Sequence, residues 1–210
     1  MTSIIYEPLL EVKFFASFYF IKYLGPKINI NPKKLFWWTS LFMSLFISFF
    51  SVDFDYDLSY LGSSVQYYPH MNQLINCLII YLIEDLLFDP YIDQVMIFHH
   101  CEAILGLSLG QLGYNTGGIN NTVRNEISTM WLALYYLTKD LTNKYLSNSS
   151  NGFFLVFLYS YLKNRIIPLT KMIWIGFYNF NYFYVQSHNI FGLIMFLNTI
   201  HTVIQYYWFY

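Results

Sequence analysis

The strongest constraint on this chain is a recurrence of long apolar runs separated by short linkers rich in Asn, Gly, Ser and Asp. The runs are Leu9–Leu24, Leu35–Val52, Leu74–Phe88, Val95–Gly113, Ile127–Thr138, Phe153–Leu169 and Ile190–Phe209. They are continuously apolar rather than alternating, which points to helices and away from a β-barrel. A helix needs about 20 such residues to cross a hydrocarbon core. Lys13 interrupts the first run and the fifth is short, so the pattern predicts six or seven spans.

Composition agrees with that expectation. Only 11% of the 210 residues are charged and 56% are hydrophobic, whereas a soluble domain carries about 25% charged residues. The expected fold is therefore all-α, a polytopic transmembrane helix bundle. Lys27, Lys33, Lys34, Lys139 and Lys144 fall on one predicted side, which places the C-terminus in the cytosol. Asp53, Asp55 and Asp57 fall on the other side. Asn120-Asn121-Thr122 reads as a glycosylation sequon in a lumenal loop. A net charge of -1 gives no electrostatic case for nucleic acid. Cys77 and Cys101 lie within apolar runs and read as buried structural thiols. No cleavable signal peptide is expected at the N-terminus.

Ionisable groups inside such runs are costly, and they normally face the interior of a bundle. The fourth run opens with His99-His100-Cys101-Glu102. On a helix, His99 shares a face with Glu102, Ala103, Gly106, Gly110 and Gly113, while His100 points about 100° away. Adjacent histidines diverge and lack the i, i+4 ligand spacing, so no metal site is expected. The third run carries Tyr81 and Asp85 one turn apart. Asp85, with Glu84 as the second candidate, is the carboxylate expected to reach the histidines and hold one imidazole in a single tautomer. Glu126 opens the fifth run, where a helix dipole alone would favour it. Arg165 in the sixth run reads either as an anchor at the span end or as an inward charge for a phosphate or carboxylate. Asn198, His201 and Gln205 form a polar stripe at i, i+3, i+7 in the last run.

At these positions the chain resembles the TLC-domain family, which includes the ceramide synthases, from about Lys34 to the C-terminus. The likeness is carried by Tyr81-x-x-x-Asp85, the double histidine His99-His100 and Glu126-Ile127-Ser128-Thr129. The Phe-rich run ending near Arg165 and Pro168 and the closing Asn198…Trp208 add to it. It implies a six-helix ring around a lipid-sized cavity (residues 34–210), with an N-terminal span and cytosolic linker outside it (residues 1–33). It also implies an integral, multi-pass protein of the endoplasmic reticulum or another internal membrane. In ceramide synthases the paired histidines are catalytic in acyl-CoA-dependent N-acylation. Carried over, His99, His100 and Asp85 are the catalytic candidates. Tyr81, Glu126, Arg165, Asn198, His201 and Gln205 are the lipid-binding candidates. Where ceramide synthases have Asp downstream of the double histidine, this chain has Glu126-Ile127 and Met130. That form resembles the non-ceramide-synthase branch, associated with lipid handling.

The leading expectation is therefore a protein that binds a membrane lipid or acyl chain, with no permanently bound cofactor. An acyltransferase using acyl-CoA as co-substrate is the second reading. A channel or transporter with the same polar groups on its axis is the third.

Overall fold

The computed structural model describes residues 10–50, 69–89, 92–114, 116–141, 144–186 and 190–209, and it is helical throughout apart from turns. The helices are α1 (Leu10–Lys27), α2 (Pro32–Phe50), α3 (Pro69–Phe88), α4 (Gln94–Gln111), α5 (Thr116–Thr138), α6 (Lys144–Tyr161), α7 (Ile167–Tyr178), α8 (Phe180–Gln186) and α9 (Phe191–Phe209). A π-helical turn, Leu162–Ile166, joins α6 to α7.

Among the described residues no helix is long and apolar enough to cross a membrane. This overturns the expected polytopic transmembrane bundle, both the six-helix ring and the added N-terminal span. The multi-pass expectation, the topology read from the lysines and the integral, internal-membrane localisation fall with it. The physical reason is polarity within the helices. α4 holds His99, His100 and Glu102 in its 18 residues, and α3 holds Glu84 and Asp85 in its 20. α7 has only 12 residues and α8 only 7. Apolar runs therefore marked where helices form without showing that any helix could do without polar partners. The triple-aspartate segment at 53–57 lies outside the described residues.

The apolar faces converge on one main core. Phe14 and Phe18 of α1, Met43 and Ile47 of α2, and Leu74, Ile75 and Leu78 of α3 are almost wholly buried there. Leu107 of α4 and Val123 of α5 close it. Phe14 stacks on Phe18 and Phe42 at 5.7 Å, so α1 is part of this core. A second core joins Leu169 and Met172 of α7, Phe183 of α8, and Phe191 and Ile194 of α9. α2 and α5 pack closely, with Trp37 stacked on Tyr136 at 4.2 Å.

Local signals set the helix ends. Gly25 sits in the last turn of α1, where a Cβ would come within 2.5 Å of Leu35 Cδ1 of α2. Asp93 caps α4, its side chain accepting from the Met96 N–H at 2.8 Å. Gly113 (φ 88°) stops α4, and the Tyr114 N–H returns to the Leu109 carbonyl at 3.1 Å. Pro168 does not end the sixth run. It lies in the first turn of α7, which follows the π-helical turn with no break in helical backbone. α5 begins at Thr116, so Asn120-Asn121-Thr122 lies within a helix rather than in a loop. Cys77 is buried, as expected, but Cys101 is exposed on α4.

Candidate functional site

α3 supplies two adjacent acids that part company. Glu84 turns to α1, accepting from Tyr19 Oη at 2.6 Å and Lys22 Nζ at 3.0 Å. Asp85 turns inward and is buried. Its Oδ2 lies 3.5 Å from Nε2 of His100. Tyr81, one turn back, is buried with it and shares a hydrogen bond of 3.1 Å with Ser40 Oγ of α2. Burial first, and then the charge of Asp85, holds the Tyr81 phenol well above its ordinary range. Tyr81 is therefore a neutral O–H.

The surroundings of His100 fix where its protons sit. Nδ1 lies 2.9 Å from the Met96 carbonyl, which can only accept, so Nδ1 carries hydrogen. Nε2 then faces the Asp85 carboxyl, also an acceptor when ionised. The tautomer is thus set by the Met96 carbonyl within α4, not by Asp85 as the sequence suggested. Asp85 sits at the opposite nitrogen, where it stabilises an added proton.

His99, one residue earlier, faces a different set. Its Nδ1 is 3.9 Å from Glu102 Oε2, one turn along α4. Its ring lies 5.0 Å from that of His201 of α9 and meets Trp208 edge-on at 4.8 Å. Nδ1 is buried and makes no hydrogen bond. Burial, then the charges of His201, His100 and Arg165, holds the pKa of His99 well below the ordinary imidazole value, so it is neutral.

His201 Nδ1 lies 2.7 Å from Glu102 Oε2 and Nε2 lies 3.3 Å from Gln205 Nε2. Gln205 Oε1 is committed elsewhere, accepting from Tyr161 Oη at 2.7 Å and Arg165 Nη1 at 3.1 Å. Its amide nitrogen must therefore donate to His201 Nε2. That leaves the His201 proton on Nδ1, donated to Glu102.

Arg165 is brought inward by the π-helical turn and is buried. Its Nε donates to Ser128 Oγ at 2.6 Å, and Nη2 donates to the Asn125 carbonyl at 2.9 Å and to Thr129 Oγ1. Its Cζ lies 5.1 Å from the Tyr161 ring centre. Arg165 points inward rather than anchoring a span end, but it meets neither a phosphate nor a carboxylate here. Its donors go to the protein's own α5 and α9 acceptors.

Glu126 accepts from Ser44 Oγ at 3.2 Å. It lies in the third turn of α5, not at its start, so the helix dipole does not account for it. Burial raises its pKa, against Arg165, Ser44, Thr129 and His100, which lower it.

The structure thus brings together Tyr81, Asp85 and His100 on one side and His99, His201, Gln205 and Arg165 on the other. The two histidine rings of α4, 5.7 Å apart, bridge them. Asn198 is buried on the same face of α9. Sequence reasoning missed the roles of Glu102, Tyr161, Ser128, Asn125 and Ser40. Only Glu102 left a usable signal, its i, i+3 spacing from His99.

No protein-family model matches this chain, and no curated protein or solved structure matches it. The likeness to TLC-domain proteins rests on the motif residues alone.

Proposed function

We propose that the chain binds a lipid or acyl chain and that His100, with Asp85, does acid–base work on its acyl head. The observation that carries this reading is His100 held between the Met96 carbonyl and the Asp85 carboxyl. That arrangement presents Nε2 as a base with a carboxylate ready to receive the charge it acquires. At 3.5 Å this contact is long for a hydrogen bond.

The reaction that fits is transfer of an acyl group from a thioester to an amine. The amine nitrogen attacks the thioester carbonyl, a C–N bond forms and the C–S bond breaks. The amine proton passes to His100 Nε2 and then to the departing thiolate. Tyr81, a neutral buried O–H one turn from Asp85, would donate to the carbonyl oxygen or hold Asp85 in place. The apolar character of the ligand is supported by the surface of α7 and α8, where Trp174, Phe177, Tyr178, Tyr182 and Val185 are all exposed.

The test uses the purified full chain with labelled long-chain acyl-CoA and a panel of long-chain amines. Amide product is expected, and His100→Ala should lower it by about 100-fold or more. Equilibrium dialysis with labelled acyl-CoA and fatty acid reads binding separately. A wild-type chain that forms no amide and retains neither ligand would defeat the proposal.

A further inference from the structure

The geometry points to a divalent transition-metal site, of the kind that takes zinc, built from His99, Glu102 and His201. This goes beyond the acid–base reading and does not depend on it, because none of the three residues belongs to the His100–Asp85 pair.

One ligand atom from each residue lies within 4.8 Å of the others. Two imidazoles and one carboxylate form the donor set of catalytic zinc sites, with the fourth position open. Bonds of about 2.0–2.2 Å set tetrahedral donors about 3.4 Å apart. His99 Nδ1 and Glu102 Oε2, at 3.9 Å, need to close by about 0.5 Å. His201 Nδ1 and Glu102 Oε2, at 2.7 Å, need to open by about 0.7 Å. Rotations about side-chain bonds supply movements of that size.

A second observation is independent of the spacing. His99 Nδ1 is buried and makes no hydrogen bond. A buried nitrogen without a hydrogen-bond partner is costly, and a cation between it and Glu102 removes that cost. Trp208 packs edge-on against His99. A cation on His201 Nδ1 displaces the proton now given to Glu102 to Nε2, and the Gln205 amide must then turn its oxygen towards that nitrogen. The three residues also come from two helices far apart in sequence, so a cation would tie α4 to α9. A purely local reading of the His99-His100 pair would not show this site, because the second imidazole lies 102 residues away from His99 in the chain.

The test is a Co(II) titration of the metal-free full chain, followed by displacement with Zn(II). One equivalent is expected, with visible d–d absorption of a low-coordinate site. His99→Ala, whose ring makes no Nδ1 hydrogen bond to lose, should weaken binding by at least about 100-fold, since even outer-shell partners cost about 10–100-fold. Circular dichroism shows whether that variant is folded. Cys101→Ser should bind as the wild type does, which excludes a thiol on the exposed face of α4. X-ray absorption on the zinc-loaded wild type should show nitrogen and oxygen neighbours with imidazole scattering, and it decides the matter if His99→Ala is unfolded. A wild type that binds neither ion overturns the inference. So does a folded His99→Ala that binds unchanged, a loss of binding in Cys101→Ser, or a sulfur-rich shell.

Discussion

His201 Nδ1 donates to Glu102 Oε2 at 2.7 Å and so joins α9 to α4 across 99 residues of chain. Both groups are buried, and the amide of Gln205 fixes the direction of the bond. Glu102→Gln keeps the shape but removes the charge that holds the imidazole N–H. His201→Ala leaves the carboxylate buried alone. Breaking a buried charged contact from one side costs about 3–5 kcal/mol. Denaturant unfolding of the metal-free chain should show His201→Ala destabilised by that order and Glu102→Gln by less. The double variant should be less destabilised than the sum, because the second change removes nothing still paired.

Arg165 makes a comparable prediction through geometry rather than charge. Its planar group reaches Asn125, Ser128, Thr129 and Gln205 at once. A lysine has one nitrogen and cannot span α5 and α9 together. Arg165→Lys keeps the charge and should still cost about 2–3 kcal/mol, because buried acceptors lose their donors. In a chain of this length that is a fall in Tm of about 5–10 °C. A change below about 1 °C would show that the network is dispensable.

The apolar runs were legible as helices and illegible as to environment. Hydrophobic content told where α1–α6 and α9 form. The Tyr81–Asp85 spacing favoured Asp85 over Glu84 as the carboxylate at the histidines, but nothing in it showed that Glu84 turns to Tyr19 and Lys22 of α1. Adjacent residues on a helix diverge by about 100°, and which one faces the bundle depends on packing partners remote in sequence. The sixth run, read as ending at Leu169, continues as α7 to Tyr178, and its spacing gives no sign of the π-helical turn at 162–166. The stripe Asn198, His201 and Gln205 was legible because its period matches a helix. Its partners Glu102 and Tyr161 were not, since spacing within one helix carries no information about another.

The contact between the last turn of α1 and the start of α2 carries a steric prediction. A methyl at Gly25 would lie 2.5 Å from Leu35 Cδ1. Gly25→Ala must push that side chain aside, at about 1–3 kcal/mol. Leu35→Ala removes the obstacle, so the pair Gly25→Ala with Leu35→Ala should be less destabilised than the two single costs added. Thermal melts of the four proteins check this. Strict additivity would place the cost elsewhere.

The two thiols should react at very different rates. Cys101 is exposed, whereas Cys77 is buried in the main core and its pKa is pushed up to about 12. The thiolate is the reactive form. With N-ethylmaleimide at neutral pH, mass spectrometry of the folded chain should show one rapid addition, mapped to Cys101. The second addition should appear only on unfolding. Labelling of Cys77 in the native protein would contradict the core described above.

Glu126 gives a prediction with a definite sign. Its carboxyl is buried in α5 beside Ser44, and its pKa in the folded chain is raised above 4.5. The folded state therefore holds its proton more tightly than the unfolded chain does. By linkage, the stability this contributes is fully present below pH 4.5 and is lost as pH rises through the raised value. Glu126→Gln keeps an acceptor for Ser44 but never ionises. Relative to wild type, it should be more stable at neutral pH, with the difference shrinking towards zero as pH falls below 4.5. The slope of the difference cannot exceed about 1.4 kcal/mol per pH unit for one proton. Urea unfolding of both proteins across that range reads it directly. The opposite trend, with wild type gaining on the variant as pH rises, would mean that the attraction of Arg165 outweighs burial and that Glu126 is held ionised as its partner.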